Sequence, residues 1–299
     1  MRSSPEFKKV QKMMKSDNEN LKTGILYHYT DYSALEGIMG LSQLRLNNVL
    51  NMNDAAEMNL FMYGICKKAA ALFAEEERPD KVQLVQQIFA KEQRDRFSYS
   101  AYAACFSRYR DDAAQWERYG NQGRGVCIAF DESLLSKMAK APLSLKPVIY
   151  REDINESLLA DCICDILRGD ISYEDYSKEP ALRSALNRAW AASAAYKHPS
   201  FASENEVRLL VSPFEQGYFD VKPEYHISRE RIKKYYPLDL DKMCAEADTT
   251  FEELIVELII GPESTQSLPI LKDYLLSLGF CALAQRISYS RCPLRKNSL

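Results

Sequence analysis

The sequence is poor in the residues and motifs that mark several large classes of nucleotide-binding and metal-binding proteins. It has three histidines, two tryptophans and eleven glycines in 299 residues. Neither common glycine-rich phosphate loop is present, which argues against a nucleoside triphosphatase, a kinase and a Rossmann dehydrogenase. No apolar run is long enough to span a bilayer, and the first residues lack a signal-peptide pattern. We therefore expect a cytoplasmic protein with no membrane partner.

The eight cysteines form no C-x-x-C pair, and several lie in apolar runs, such as those around Cys105 and Cys127. This usage is typical of buried free thiols in a reducing compartment. It argues against a disulfide framework and against a zinc site, and we expect no bound metal. The formal net charge of -3 provides no general attraction to nucleic acid or to anionic membranes.

Short β-prone segments are scattered between helical segments, without a regular strand-helix alternation. This pattern predicts an α+β fold with a mixed or antiparallel sheet core, rather than a doubly wound parallel sheet. We expect a single domain over residues 1–299, with a lead-in helix at 1–24 and large helical insertions at 54–97 and 153–198. The strands expected from apolar runs include residues 26–30, 99–107, 125–130, 145–150, 254–260 and 281–287.

The segment from Phe201 to Val211 carries the densest charge pattern of the chain. Glu204, Glu206 and Arg208 stand at every second position and run into an apolar stretch. On a strand, side chains two apart point to the same face, so these three groups are expected to form one row. A row of charges inside a protein has to pair internally or with a ligand. The pattern predicts either a salt-bridged strand face or a binding site, and residues 217–227 are expected to pair with this strand.

Aromatic rings and a hydroxyl flank His28 in the run from Tyr27 to Thr30, on a predicted strand. Such a surface can stack on a flat polar ligand and form hydrogen bonds with it. The alternative is a structural histidine that serves the hydrogen bonding of the strand. His28 is therefore a candidate binding residue with a structural alternative.

The segment W-E-R-Y-G places Trp116 and Tyr119 one turn apart on a predicted helix. We expect Trp116 to pack in the core. Tyr119 precedes Gly120 and the next strand, so its ring can face a cleft. Ser107 ends the preceding strand and is a further candidate.

Three polar residues at the start of a predicted helix, Asn53, Asp54 and Glu57, have the spacing of capping residues. The alternative is that Asp54 and Glu57 join Glu204 and Glu206 around a divalent metal, in a metal-dependent nuclease or phosphoesterase. Nothing in this spacing is specific for a metal, so the pattern favours the capping interpretation.

Several motifs occur in a fixed order over nearly the whole chain, from Leu26 to Arg295. They are L-Y-H-Y-T, L-x-L-N-N-x-x-N-M-N-D-x-x-E, C-F-S, W-x-x-Y-G-x-x-x-x-G-V-C-I-A-F, K-x-x-x-F-x-x-E-N-E-V-R and I-S-Y-S-R-C-P-L-R. Together they resemble the bacterial domain-of-unknown-function family numbered twenty-nine seventy-one. The family name implies no activity.

The motif order is also similar to that of ADP-ribosyltransferases of the His-Tyr-Glu type. This resemblance implies an ADP-ribosyltransferase-like sheet and NAD as the substrate. It implies that His28 binds the ribose next to nicotinamide, that Tyr119 stacks on nicotinamide, and that Glu206 is the catalytic carboxylate with Glu204 assisting. Tyr119 follows a helix here, whereas the aromatic residue of such enzymes usually lies on or next to a strand.

Further residues are assigned to NAD binding by the same analogy. Tyr29, Thr30 and Ser107 offer hydroxyls and a ring near His28. Arg208 is expected either to pair with a glutamate, which lowers the pKa of that carboxyl, or to contact a phosphate of the ligand. A fixed carboxylate suits this chemistry because cleavage of the nicotinamide-ribose bond builds positive charge on the ribose.

Three functions follow from these patterns. The first is an NAD-consuming ADP-ribosyltransferase, which would be a bacterial toxin, effector or defence protein acting on a protein or nucleic-acid acceptor that the sequence does not identify. The second is the metal-dependent nuclease or phosphoesterase. The third is a catalytically inactive nucleotide-binding module that interacts with other proteins. The resemblance favours the first.

Overall fold

The computed structural model describes residues 24–49, 55–95, 101–150, 154–211, 221–227 and 232–294. The expected lead-in helix, apart from Gly24, and the capping residues Asn53 and Asp54 lie outside this part of the chain. Within it, no helix has the length and apolar character needed to cross a membrane. Strands and helices are intermixed along the chain, so the predicted α+β class is confirmed.

Ten strands of the described residues form one mixed, open sheet. All strand pairs are antiparallel except β9 and β10, which run parallel. The strands are β1 (Ile25–Thr30), β2 (Gln43–Asn48), β3 (Tyr102–Ser107), β4 (Val126–Asp131), β5 (Leu143–Pro147), β6 (Glu206–Val211), β7 (Glu224–Ile227), β8 (Ile232–Asp239), β9 (Ile255–Ile260) and β10 (Ile287–Tyr289).

The sheet divides at β3. One edge of β3 pairs with β6 along its whole length. The other edge is shared, because Ser107 pairs with Tyr27 of β1 and Ala103 pairs with Asn47 of β2. β1 continues through β4 and β9 to β10, whereas β2 continues through β8 to β7. The two arms therefore diverge around Cys105, in the middle of β3, and we call this gap the fork.

Several helices begin at an aspartate, which is a preferred N-cap residue. The side chains of Asp31, Asp112 and Asp131 each accept a hydrogen bond from the backbone N–H three residues later. The α-helices in the described residues are α1 (Tyr32–Gly40), α2 (Ala55–Glu75), α3 (Pro79–Arg94), α4 (Ala113–Arg118), α5 (Glu132–Met138), α6 (Ile154–Leu167), α7 (Pro180–Ser193), α8 (Leu240–Glu246), α9 (Phe251–Leu254) and α10 (Leu268–Ser277). Short 3-10 helices span Tyr176–Lys178, Pro199–Glu204 and Leu283–Gln285.

Two hydrophobic cores lie on opposite faces of the sheet. The side chains of β6 alternate between the two cores: Val207 and Leu209 belong to one, and Leu210 belongs to the other. The first core packs against α1, α5, α8, α9 and α10. The second is formed mainly by α2, α3, α6 and α7, which pack on one another and on the face of β3 that carries Ala103. β3 and β6 are thus covered on both sides.

Two strand predictions differ from the structure. The strand expected at residues 281–287 is replaced by the 3-10 helix Leu283–Gln285, and β10 begins only at Ile287. The pairing expected for residues 217–227 is wrong in its described part, because β7 pairs with β8. Both edges of β6 are occupied, one by β3 and the other by β5, so β6 has no edge left for β7.

Candidate functional site

A cavity of about 260 Å³ lies at the fork, between β1, β3, α4, β6 and β8. We call it the fork cavity. Seven of the eight residues that the sequence assigns to the site line it, namely His28, Tyr29, Ser107, Tyr119, Glu204, Glu206 and Arg208. Thr30 is not among the lining residues and pairs with Val126 at the end of β1. Residues far apart in the sequence therefore meet because the sheet divides at β3.

His28 lies where β1 separates from β3. Its Nδ1 lies 2.8 Å from the carbonyl oxygen of Cys105, and its ring packs against Phe106 and Phe130. A carbonyl can only accept, so Nδ1 carries the proton and Nε2 is left as an acceptor in the neutral ring. Burial lowers the pKa of His28, although the bond to the Cys105 carbonyl works in the opposite direction. The imidazole is therefore neutral at physiological pH, with a defined tautomer.

The two glutamates are brought together by a turn and not by a single strand, as the sequence pattern suggests. Glu204 ends the 3-10 helix Pro199–Glu204, and β6 begins at Glu206. Asn205 between them has a left-handed backbone, with φ of 44° and ψ of 54°. Only Glu206 and Arg208 share a strand and a face, so the expected row of three charges holds for these two residues alone.

Glu206 is held by two cations. Arg208 donates from Nε to Oε1 at 2.7 Å and from Nη2 to Oε2 at 3.0 Å, and Lys197 Nζ lies 3.2 Å from Oε2. The Cys105 thiol also hydrogen-bonds this carboxylate. Burial raises the pKa of Glu206, but the opposing effects of Arg208 and Lys197 are stronger and set it at about 2. Glu206 is therefore ionised at neutral pH.

Glu204 makes a similar set of contacts with different partners. Its Oε1 accepts hydrogen bonds from Arg118 Nη1 at 2.8 Å and from the Tyr119 hydroxyl at 3.2 Å, while its Oε2 pairs with Lys197. Lys197 thus connects the two carboxylates. The four central residues are almost fully buried, with exposed fractions of 2% for Lys197, 3% for Glu204, 8% for Glu206 and 3% for Arg208.

Lys197 is a central site residue that the sequence patterns do not identify; Arg118, Lys233 and Lys234 are others. A lysine is expected on the surface, and its place in K-x-x-x-F-x-x-E-N-E-V-R gives no sign of burial. The structure anchors it through its backbone N–H, which donates to the Ile149 carbonyl at 2.8 Å. The signal that could identify it is its spacing to Glu204 and Glu206, because two neighbouring carboxylates need a cation between them when they are buried.

Tyr119 is placed by α4, which is fixed by the C-terminal segment. Trp116 is fully buried, and its Nε1 donates to Asp111 Oδ1 at 2.6 Å. Asp111 also accepts from the Ser290 hydroxyl at 2.6 Å and from the Arg291 backbone N–H at 2.7 Å. The final motif, I-S-Y-S-R-C-P-L-R, therefore has a structural role, since it holds the helix that presents Tyr119 to Glu204.

Two of the predicted binding hydroxyls are already used within the protein. The Tyr29 hydroxyl donates to the Tyr109 carbonyl at 2.7 Å and accepts from the Asp112 N–H at 3.2 Å. The Ser107 hydroxyl donates to the Glu204 carbonyl at 2.8 Å and accepts from the Tyr109 N–H at 3.2 Å. Both side chains support the loops around the cavity through these bonds.

The electrostatics of the fork cavity favour an anion. Four basic and two acidic side chains line it, which leaves an excess of two positive charges around the neutral His28. Among the residues that the structure describes, no group of three or more histidines, cysteines and acidic residues is arranged to hold a metal ion. Asp54 and the side chain of Glu57 lie outside the described residues.

A family model described as a protein of unknown function (DUF2971) matches residues 115–209. The matched range includes the last four residues of α4, both glutamates, Lys197 and Arg208. It therefore spans one side of the fork cavity and supports the family resemblance that the motifs suggest. A search of curated proteins finds no match, and a search of solved structures finds none either.

Proposed function

We propose that the fork cavity binds NAD and that the protein is an ADP-ribosyltransferase of the His-Tyr-Glu type, with the forked sheet as its version of that fold. The observation that carries the proposal is that His28, Tyr119, Glu204 and Glu206 line a single cavity. The motif order suggests these residues independently of the structure. A cavity of about 260 Å³ suits the nicotinamide-ribose end of the dinucleotide, with the remainder extending outward.

His28 binds a ribose hydroxyl in this proposal. Its Nδ1 proton is committed to the Cys105 carbonyl, so Nε2 is the atom that accepts from the ligand. Because burial lowers the pKa of the ring, this acceptor is preserved at neutral pH. A protonated imidazole would lose it.

In this proposal, Glu206 acts as a fixed negative charge and not as a base. With a pKa of about 2 it is a very weak base, and Arg208, Lys197 and Cys105 already donate to it. A fixed, ionised carboxylate still stabilises the positive charge that develops on the ribose as nicotinamide departs. As nicotinamide departs with the electron pair of the broken bond, water or an acceptor group attacks the same carbon and releases its proton to solvent.

Tyr119 and Glu204 form the opposite side of the proposed subsite. Tyr119 is 37% exposed, and its hydroxyl is held by Glu204 Oε1. The fixed hydroxyl leaves the ring face available to stack on nicotinamide. Glu204 supports Tyr119 through this bond and is assigned the assisting role toward the acceptor.

Incubation of the purified protein with NAD tests the proposal directly. We expect NAD binding by calorimetry, nicotinamide release by chromatography, and transfer of label from NAD to a component of cell lysate. Glu206→Gln should lower kcat by about 100-fold or more, whereas Lys242→Gln, on the exposed surface of α8, should not change it. Thermal unfolding of each variant separates loss of activity from loss of fold. Absence of binding, release and transfer by the wild-type protein would refute the proposal.

A second candidate is a nucleotide-binding module without turnover. The ion pairs favour it, because both carboxylates are already neutralised by Arg118, Lys197 and Arg208. This alternative predicts NAD binding of similar strength in Glu206→Gln and no nicotinamide release by the wild-type protein. The same calorimetric and chromatographic measurements therefore distinguish the two functions.

A further inference from the structure

Two adjacent lysines line the fork cavity from the arm of the sheet opposite to His28. Lys233 and Lys234 lie on β8, which reaches β3 through β2, whereas His28 lies on β1. Both lysines contribute to the wall of the same cavity as Glu206. The lysines and the candidate catalytic residues are therefore positioned to contact different parts of one ligand.

Neither lysine has a carboxylate partner among the described residues, in contrast to the other cations of the cavity. Lys197 and Arg208 both pair with glutamates. Lys234 lies over the rings of Tyr102 and Tyr236, with its Nζ 5.9 Å from each ring centre. Lys233 and Lys234 are half-buried, so their charges are partly removed from water. A partly desolvated cation without a counter-ion favours the binding of an anion.

The lysines on β8 account for the excess positive charge that favours an anion in the cavity. Arg118, Lys197 and Arg208 neutralise the two carboxylates of Glu204 and Glu206 within one network. Among the cavity-lining cations, Lys233 and Lys234 are the two that this network does not include. Consecutive side chains of a strand point to opposite faces, so Lys233 and Lys234 reach the cavity from two sides of β8. A pyrophosphate diester has one negative charge on each phosphate and can therefore contact one lysine with each phosphate.

We propose that Lys233 and Lys234 form a phosphate-binding subsite that holds the pyrophosphate of a nucleoside diphosphate ligand. The ligand extends from these lysines across the fork to the glutamates. This inference deepens the proposed function, because it concerns the same ligand, but it concerns affinity and not the chemistry at Glu206. It can therefore hold when no reaction occurs.

Calorimetry with ADP-ribose as the probe tests the subsite, because this molecule has the pyrophosphate but no nicotinamide. We expect the wild-type protein to bind it and the double variant Lys233→Gln/Lys234→Gln to bind it about tenfold or more weakly. The matched control Lys242→Gln removes an exposed lysine from α8 and should bind like the wild type. Far-UV circular dichroism and thermal unfolding establish that the double variant is folded.

Two further measurements on the wild-type protein complete the test. Its affinity for ADP-ribose should fall as the NaCl concentration rises, because the contact is between charges. Nicotinamide riboside, which has no pyrophosphate, should bind more weakly than NAD. If ADP-ribose does not bind, binds equally well to the double variant, or binds independently of salt, the subsite is refuted.

The outcomes also separate the subsite from the proposed function. Salt-dependent binding of ADP-ribose that is lost in the double variant supports the subsite even if NAD is never cleaved. In that case only the proposed chemistry fails. Conversely, nicotinamide release with equal ADP-ribose affinity in wild type and double variant supports the chemistry and refutes the subsite.

Discussion

Lys197 and Glu206 form a buried ion pair, with Lys197 Nζ 3.2 Å from Glu206 Oε2. The same ammonium pairs with Glu204, so a single lysine separates two carboxylates that would otherwise repel each other. The arrangement therefore places one buried cation between the two carboxylates of the fork cavity.

Replacing this lysine by an apolar residue of similar length is expected to be costly. Lys197→Met leaves two buried carboxylates without their shared cation and should lower the free energy of unfolding by about 3–5 kcal/mol. Urea unfolding, followed by circular dichroism, measures the change. Lys242→Met, on the exposed face of α8, is the control and should stay within about 0.5 kcal/mol of the wild type. Equal stabilities of the two variants would contradict this account of the network.

The depressed pKa of Glu206 predicts a loss of stability in acid. A glutamate in an unfolded chain titrates near pH 4.3, whereas the pKa of Glu206 in the folded protein is about 2. Its contribution is therefore complete above about pH 4.3 and is lost as the pH falls toward about 2. The difference corresponds to about 3 kcal/mol. Urea unfolding between about pH 6 and about pH 2.5 should show this fall, and Glu206→Gln should have a flatter profile over the same range. A wild-type profile as flat as that of the variant would argue against the depressed pKa.

Loss of the hydrogen bond from His28 to the Cys105 carbonyl is expected to destabilise the protein at the fork. His28→Phe keeps a ring against Phe106 and Phe130 but removes the donor to the Cys105 carbonyl. We expect a loss of about 1–3 kcal/mol in the free energy of unfolding, because a buried carbonyl loses a partner. His226→Phe, at an exposed position of β7, should change stability by about 0.5 kcal/mol or less. A His28→Phe protein as stable as this control would show that the bond does not support the fork.

Two tyrosines of β1 provide a matched pair of hydroxyl deletions. The Tyr27 hydroxyl is buried and has no hydrogen-bond partner among the described residues, whereas the Tyr29 hydroxyl bonds to Tyr109 and Asp112. Tyr27→Phe should be neutral or should stabilise the protein by about 1 kcal/mol. Tyr29→Phe should destabilise it by about 1 kcal/mol. Thermal and urea unfolding compare the two, and the opposite order of stabilities would contradict the hydrogen bonding described for β1.

The sequence predicts apolar strands such as the one around Cys127 and the helix that carries Trp116, because these depend on local patterns. The run around Cys127 is β4, and Asp112 caps α4. The strand β8 is not expected, since it contains Pro237 and two adjacent lysines in place of an alternating pattern. Its side chains are instead stabilised by neighbours from other strands, including the ring of Tyr102 beneath Lys234.

Part of the lining of the fork cavity can be anticipated from the sequence, but its geometry cannot. His28, Tyr119 and Glu206 stand out by residue type and by the order of the motifs that contain them. The fork depends on pairings between distant segments, such as Asn47 with Ala103, which no local pattern encodes. The burial of Lys197 is equally a tertiary effect, because its partners are two carboxylates on either side of the turn that leads into β6, which pairs with β3.

The left-handed backbone of Asn205 restricts what a relative of this protein can have between the two glutamates. Asparagine, aspartate and glycine tolerate this conformation, whereas β-branched residues do so only with strain. A chain with valine or isoleucine at this position would place Glu204 elsewhere, even if both glutamates were present. The middle residue of the E-N-E triplet therefore separates sequences that can build this pair of carboxylates around a lysine from sequences that merely contain two nearby acidic residues.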